Sequence, residues 1–505
     1  MSDKKSQQIN AIAYVCIRTV PQISQDFLLK QGLELRQVSC IGQVGAGDVL
    51  NALSSDAERV VLIGCPDDKC RHEVGPKNAR SQVQMVQEII NLLGFDKEQV
   101  VFLSADEAIE RLKCNRQPPL SLKWKKAESA FRVPFSLSEV GFSPSNFVCI
   151  DCGRCSGICP VARTELGFSP RRLIKQALDN SQNVPVRALY ACLGCDLCVT
   201  VCPANKGFAQ TVLKLRGIAF NNGASPVKAH SGIVQTIIRM MSENRRKQKR
   251  LDWLKPELRV RDNGETALFI GCLPYFDVLF RELGVQPLKT AENAIRIINS
   301  LGVEPVVLLD EGCCGHDLLW LGDIEPVRSL AEHNLKVFQE AGVKEVVFLC
   351  PECLRTFKLD YPAIVGETGL KLVHITEFLV RNGFKPGGSE RRAIVTFQDP
   401  CRLGRHLGIY DEPRRLIKGL NGIELREMAH NQNQALCCGG ASWLECGVAV
   451  KLLQERRLNE AKETGADTLV TACSKCEIHL SCALSRGEKR GLKIANIIDL
   501  LYEEK

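Results

Sequence analysis

Short apolar runs, most of them ending in a cysteine, alternate along this chain with segments of helical periodicity. AIAYVC (11–16), ELRQVSC (34–40) and RVVLIGC (59–65) come first, followed by the periodic stretch VQMVQEIINLLG (83–94) and a further run, QVVFLSA (99–105). Short β-favouring runs that alternate with helices indicate βαβ units and a parallel sheet. Residues 1–115 therefore read as a small doubly wound, flavodoxin-like α/β domain. The second half repeats the theme in ALFIGC (267–272), PVVLLDEGCC (305–314), VVFLC (346–350), AIVTFQDPC (393–401), ALCC (435–438) and TLVTAC (468–473). The overall expectation is a multidomain α/β protein.

This second half is written twice. Glu332 to Cys350 (EHNLKVFQEAGVKEVVFLC) aligns without a gap on Glu455 to Cys473 (ERRLNEAKETGADTLVTAC), each copy giving helix, Gly turn, strand and cysteine. The thiols follow the same repeat. Cys272, Cys313-Cys314-Gly315 and Cys350-x-x-Cys353 are followed by Cys401, Cys437-Cys438-Gly439 and Cys473-x-x-Cys476. Intervals of 40 and 35 residues separate the elements in the first copy, and 35 and 34 in the second. Parallel α/β sheets gather ligands at their strand ends, so five thiols from separate loops can converge on one site per copy. The modules are assigned to 251–385 and 386–505.

Between these regions the pattern changes to tight cysteine spacing. Cys149-x-x-Cys152-x-x-Cys155-x-x-x-Cys159-Pro160 recurs 43 residues later as Cys192-x-x-Cys195-x-x-Cys198-x-x-x-Cys202-Pro203. In the bacterial ferredoxin run of this form the fourth cysteine serves the other cluster. One cubane [4Fe-4S] cluster is thus assigned to Cys149, Cys152, Cys155 and Cys202, and the other to Cys192, Cys195, Cys198 and Cys159. Cys₄ zinc is the alternative for paired Cys-x-x-Cys elements. SPRRLIKQALDNSQ lies between the runs, with Ser169-Pro170 as a helix start and Leu173, Ile174, Ala177 and Leu178 at helical spacing. Residues 116–250 are therefore read as a helical two-cluster ferredoxin segment.

Composition sharpens the chemistry. A chain of 505 residues accommodates several domains of about 150 residues, so size alone calls for no disulfides. The start, MSDKKSQQIN, lacks an apolar signal region, and no stretch approaches the roughly 18–20 apolar residues of a bilayer span. The expectation is a cytoplasmic protein whose 25 cysteines serve metal or redox chemistry. Cys16, Cys40, Cys65 and Cys70 suit a [2Fe-2S] cluster, with zinc or free thiols as alternatives. Cys114, Cys446 and Cys482 are left over as small buried hydrophobes. Gly42, Gly45 and Gly47 (GQVGAG) lack the third fingerprint glycine and read as a turn, and no flavin or nicotinamide fingerprint is present. The net charge of +8 is modest for this length, and the run Arg245-Arg246-Lys247-Gln248-Lys249-Arg250 suits an acidic redox partner better than nucleic acid. His316, just after Cys314-Gly315, reads as a structural hydrogen-bonding residue near the first five-thiol site.

These residues resemble a known set of proteins. GCPDDKC with RHEVGPKNAR is similar to the delta subunit of methyl-viologen-reducing hydrogenase, a [2Fe-2S] protein. The two ferredoxin runs with SPRRLIKQAL resemble the C subunit of heterodisulfide reductase. The two CCG modules with TFQDPCRLGRHLGIYDEPRRLI resemble its B subunit and the fused D form. The resemblance implies that Cys272, Cys313, Cys314, Cys350 and Cys353 hold one noncubane [4Fe-4S] cluster, and Cys401, Cys437, Cys438, Cys473 and Cys476 another. In that family a disulfide lies between the two noncubane clusters, each of which supplies one electron and captures one thiolate. The chain departs from the family pattern in its 40- and 34-residue intervals, and in lacking the extra cysteines that often flank the position of Cys16.

The implied function is an anaerobic, iron-sulfur, disulfide-reducing oxidoreductase subunit. Its implied partners are a flavin-bearing subunit like the A subunit of heterodisulfide reductase and a hydrogenase or formate dehydrogenase-type donor. The alternative is a non-catalytic electron-transfer subunit of the glycolate, lactate or glycerol-3-phosphate oxidation type, feeding a carrier or quinone.

Overall fold

β-Branched and apolar residues build four strands in the N-terminal region: β1 (Ala11–Cys16), β2 (Leu33–Val38), β3 (Arg59–Gly64) and β4 (Val100–Ser104). The structure is a computed structural model. It describes residues 11–112 apart from 21–22, 24–27, 29–31 and 56, then 132–133, 149–164, 168–178, 184–204, 207–243 apart from 225 and 227, 248–486 apart from 445, and 491–502. Cys114 and positions 245–247 of the basic run lie outside the described residues. Two compact units divide the chain, residues 1–129 with 229–250, and residues 130–228 with 251–505. Among the described residues, no helix is long and apolar enough to cross a membrane.

In the first unit the strands pair in parallel in the order β2-β1-β3-β4. Parallel neighbours need crossover connections, and the helices Ala46–Ser54 and Gly75–Leu92 supply two of them. The central strands are buried through Val15, Val60, Leu62 and Ile63, while the edge strand β2 is only half covered. Because all four strands run the same way, Cys16, Cys40 and Cys65 leave the sheet at the same end. The GQVGAG glycines serve close packing. A Cβ at Gly42 would lie 2.9 Å from Gly75 Cα, and one at Gly47 would lie 2.7 Å from the His230 carbonyl oxygen. Residues 229–250, expected in the ferredoxin segment, pack in this unit instead. Asn51 Nδ2 donates to Ser231 O at 3.1 Å, and the Thr236 hydroxyl donates to Asn51 Oδ1.

The second unit holds the ferredoxin runs and two more parallel sheets. β5 (Thr266–Phe269), β6 (Glu345–Phe348) and β7 (Lys371–His374) form one, in the order β5-β6-β7. β8 (Gly388–Gln398), β9 (Asn421–Leu425), β10 (Thr468–Thr471) and β11 (Lys493–Asn496) form the other, in the order β9-β8-β10-β11. Helices Ile324–Glu340 and Val448–Glu463 lead into β6 and β10. Phe269, Phe348 and Phe357 pack under the first sheet with ring centroids 5.0–5.5 Å apart. The expected helix between the ferredoxin runs spans Pro170–Leu178 and buries Leu173.

One apolar run behaves differently from its neighbours. PVVLLD touches β5 through a single bridge at Val306 and is not a strand. Side chains alternate between the faces of a strand, so two adjacent thiols can serve one site only after the chain has left the sheet.

Candidate metal centres

The adjacent-cysteine motif owes its shape to the glycine that follows. Gly315 and Gly439 are left-handed, at φ +79° and +83°, and a Cβ there would press on Val327 and Val450 at 3.1 and 2.8 Å. That conformation, which glycine adopts without steric cost, turns the Gly315 N–H back to Cys313 Sγ and the Gly439 N–H back to Cys437 Sγ, both at 3.4 Å. Cys272 caps the helix after β5, and its Sγ lies 2.8 Å from Cys313 Sγ. Hydrogen bonds continue the chain of sulfurs from Cys313 to Cys314, to Cys353 and to Cys350. All five line one cavity, with Phe276, Asp317 and Ser474 in its wall. The second set closes likewise: Cys401 bonds Cys437, which bonds Cys438, then Cys476 and Cys473. These five line a second cavity together with Leu193 and Arg402.

The ferredoxin runs use one backbone twice. Positions three and five of each run are left-handed, occupied by Asp151 and Gly153 in the first and by Gly194 and Asp196 in the second. Aspartate is among the few residues that tolerate this region, so Asp and Gly exchange places without changing the loop. Cys149, Cys152, Cys155 and Cys202 line one cavity, with Cys198 in its wall, and Cys159, Cys192, Cys195 and Cys198 line the next. The fourth cysteine of each run thus lies with the other run's first three. Cys149 and Cys152 are exposed, whereas Cys192 and Cys198 are buried. Burial raises Cys159 to about 12 and Cys192 to about 11.

In the first unit Cys16 Sγ and Cys65 Sγ are 3.9 Å apart, and Cys70 lies near Cys65. A Cβ at Gly75 would sit 3.0 Å from both Cys40 Sγ and Cys70 Sγ, so the missing side chain leaves a cradle between these thiols. All 22 cysteines singled out by spacing fall into these five groups, and none forms a disulfide. Clusters of thiols without disulfides, most of them buried, form the donor set that iron-sulfur clusters require. Ser474 adds a buried hydroxyl in the wall of the first cavity, with no hydrogen-bond partner among the described residues.

Comparisons with known proteins agree with this geometry. The cysteine-rich CCG domain matches residues 266–358 and 395–481, the delta subunit of methyl-viologen-reducing hydrogenase matches 12–112, and a 4Fe-4S dicluster domain matches 146–206. An iron-sulfur protein of Methanococcus maripaludis is 30% identical over 378 residues, covering 70% of this chain and 72% of that protein. The D subunit of the dihydromethanophenazine:CoB–CoM heterodisulfide reductase of Methanosarcina barkeri is 27% identical over 389 residues, with 70% and 93% covered. The chain belongs to the CCG-domain iron-sulfur proteins related to heterodisulfide reductase. It carries an N-terminal hydrogenase-delta-like domain ahead of that region. The B subunit of the fumarate reductase (CoM/CoB) of Methanothermobacter marburgensis is also similar, at 27% identity over 371 residues, covering 70% of this chain and 71% of that one.

Within this family member, the surroundings of the two five-thiol sets differ. Cys437 hydrogen-bonds Cys195 of the dicluster, and this bond, with Arg405 and Arg402 nearby, holds the pKa of the half-buried Cys195 down at about 5. Arg402 donates to the Gly194 carbonyl oxygen and lies over the Trp320 ring at 4.2 Å, while Arg405 Nε donates to the Cys195 carbonyl oxygen at 2.6 Å. Beside the first set, Lys475 Nζ is 2.5 Å from both Asp317 Oδ1 and Glu352 Oε2. Burial opposes the Lys475 charge, but Asp317 and Glu352 outweigh it and hold its pKa well above the usual range. His316 joins this network. Its Nδ1 lies 3.2 Å from Glu352 Oε2, its Nε2 accepts from Arg402 Nε at 3.4 Å, and burial pushes its pKa well down. Sequence reading found His316 but missed Glu352, Lys475 and Arg402. The available signal was their place inside or next to the cysteine motifs.

Proposed function

We propose that this chain is the disulfide-reducing, electron-transferring subunit of a heterodisulfide reductase-like complex. The observation that carries the reading is the meeting of three sets of thiols: Cys195 of the dicluster bonds Cys437 of the second five-cysteine set, and Cys473 of that set bonds Cys350 of the first. Two complete five-cysteine sets in contact, one of them against a dicluster, are what the reduction R–S–S–R′ + 2e⁻ + 2H⁺ → R–SH + R′–SH needs if each site handles one electron.

In this reading Cys16, Cys40, Cys65 and Cys70 hold a [2Fe-2S] cluster on a flavodoxin-like sheet. The eight dicluster cysteines hold two [4Fe-4S] cubanes, and the two five-cysteine sets hold noncubane [4Fe-4S] clusters. The bound clusters supply one-electron redox chemistry. The chain itself supplies burial and anchoring: Arg402 and Arg405 fix the Gly194-Cys195 loop against the second set, Glu352 and Lys475 line the spaces at both sets, and Ser474 walls the first. The four segments 1–115, 116–250, 251–385 and 386–505 are then entry domain, dicluster and two CCG modules, with residues 229–250 packed on the entry domain. The partners are a flavin-bearing subunit and a hydrogenase or formate dehydrogenase-type donor.

Stopped-flow mixing of the anaerobic, dithionite-reduced chain with disulfides, followed by EPR, tests this. Reoxidation with a new paramagnetic signal that is lost in Cys437→Ser is the expected result. No reoxidation at full iron content would sink it and favour the second reading, a non-catalytic electron-transfer subunit. The similarity to a fumarate reductase subunit keeps that reading open. A colourless protein containing zinc would remove both.

A further inference from the structure

The two cysteine runs of the dicluster present the same loop to different surroundings. Offset by 43 residues, Ile150, Cys152 and Arg154 of the first run stand where Leu193, Cys195 and Leu197 stand in the second. In the second run this loop is covered. Leu193 and Leu197 are buried, Leu193 lines the cavity of the second five-cysteine set, and Arg402 and Arg405 donate to the carbonyl oxygens of Gly194 and Cys195. In the first run the loop is open to solvent. Ile150 is 60% exposed, and Cys149, Cys152 and Arg154 are exposed with it. The face through which one cubane site meets its neighbour is thus left free at the other.

Charge marks what that face accepts. Helix Pro170–Leu178 is tied to the loop by the Ser156 and Ser169 hydroxyls, 2.6 Å apart, and by buried Leu173. Its exposed Arg171, Arg172 and Lys175 therefore stand beside the first run, and Arg171 lines the same cavity as Cys149, Ile150 and Cys152. Arg154 and Arg163 are exposed on the run itself. Between residues 149 and 178, Asp151 is the only acid among the described residues, and it is already engaged by Lys175 Nζ at 2.8 Å and Arg171 Nε at 3.5 Å. Arg154 and Arg172 have no side-chain hydrogen bond or ion pair among the described residues. Surplus cations around an exposed redox site steer a negatively charged partner into contact and speed its encounter.

We propose that this basic face docks a small acidic one-electron carrier protein of the ferredoxin type, giving the chain a point of electron entry at the first cubane that does not pass through the thiols of the first unit. The carrier is oxidised by one electron and the cubane reduced by one, with no bond made and no proton moved. The inference rests on the reading of Cys149, Cys152, Cys155 and Cys202 as a cubane site. The arginines and Lys175 hold and orient the carrier, and exposed Ile150 supplies the apolar contact.

Stopped-flow mixing of the anaerobic full-length protein with a reduced, acidic two-[4Fe-4S] ferredoxin tests the docking. Dicluster reduction is followed by rapid-freeze EPR, and binding of the two oxidised proteins by calorimetry. Raising salt from about 0.01 to about 1 M shortens the screening length from about 30 to about 3 Å, and the association rate should fall at least about tenfold. At low salt Arg154→Glu/Arg172→Glu should lower both rate and affinity by about tenfold or more, with iron content and melting temperature at wild type. Arg172→Glu alone lies outside the cysteine run and gives the same direction of change should the double variant lose iron. Arg71→Glu, a charge reversal beside Cys70 in the first unit, should leave the rate unchanged. A rate insensitive to salt and to reversal at Arg172 overturns the proposal, as does a loss in Arg71→Glu that equals the loss in Arg172→Glu, since the carrier would then dock on the first unit. Absence of any dicluster signal after dithionite reduction, seen before ferredoxin is added, defeats the cubane reading itself.

Discussion

The loop that delivers Cys272 and the loop that delivers Cys401 stand at equivalent places in the two modules, yet they are anchored by different chemistry. Before Cys272, Glu311 Oε1 accepts the N–H groups of Ile270 and Gly271, each at 2.9 Å. Before Cys401, Asp399 is gripped by Arg414 through two bonds of 2.7 and 2.8 Å, and Arg414 Nε also reaches Glu427 at 2.7 Å. The thiol skeleton and the left-handed glycine are the same in both. The duplicated scaffold makes the cage, and the residues that differ decide what each cage is connected to. The second set faces the dicluster through Cys195, Arg402 and Arg405, and the first faces an ion network of Asp317, Glu352 and Lys475.

The largest effect should come from cutting that connection. Cys437→Ser is expected to slow reduction of both five-thiol sites by orders of magnitude, whereas Cys313→Ser should leave the second reducible, as read by rapid-freeze EPR after dithionite or donor addition. Equal defects in the two variants would break the distinction between them.

The anchors come next. Arg414→Met leaves Asp399 buried without its ionic partner, and removing one member of a buried pair costs about 3–5 kcal/mol. Glu311→Gln keeps an acceptor for the two amides, and a net hydrogen-bond loss of about 1 kcal/mol is expected. Thermal melting under anaerobic conditions compares them, and a larger loss for Glu311→Gln would reverse the ranking.

A smaller change targets the joint with the dicluster. A Cβ at Gly194, where φ is +60°, would collide with Trp320 Cζ3. Gly194→Ala must therefore displace Trp320, and overpacking of this kind costs about 1–3 kcal/mol. Its second-site reduction should slow while the first unit's melting stays unchanged.

The smallest effect lies at the seam between the modules, where Asp499 accepts from Thr290 Oγ1 at 2.6 Å and from Asn293 Nδ2 at 2.8 Å. Burial raises the Asp499 pKa. A carboxyl whose folded value exceeds its unfolded value of about 3.9 favours folding when protonated. Its contribution is full below the unfolded pKa and falls as pH rises through the folded one. Asp499→Asn should thus melt above wild type at neutral pH, with the difference closing toward pH 4. An advantage that persists or grows at low pH would contradict the assignment.

Much of this was legible along the chain. The strands leading to Cys16, Cys65 and Cys350, the helix begun by Ser169-Pro170 and the exchange of the fourth cysteines all follow from local pattern, because period, capping and spacing are local properties. Other features were not. β7 (KLVH) and β11 (KIAN) mix polar with apolar residues and lead to no cysteine, so no apolar run marks them, and PVVLLD carries a strand's composition but must leave the sheet to bring Cys313 and Cys314 to one site. GQVGAG reads as a turn in the sequence, but the reason for its glycines is visible only in the fold, where Gly42 lies against Gly75 and Gly47 against His230.

Sequence by itself determined which thiols belong to which motif, because iron-sulfur spacing and the positive-φ glycines Gly315 and Gly439 are written within a few residues of each cysteine. Only the tertiary structure decided that Cys195 meets Cys437, that Cys350 meets Cys473 and that Glu352 meets Lys475. Those pairings join residues more than 100 positions apart, and their strength comes from burial and charge that no local pattern records.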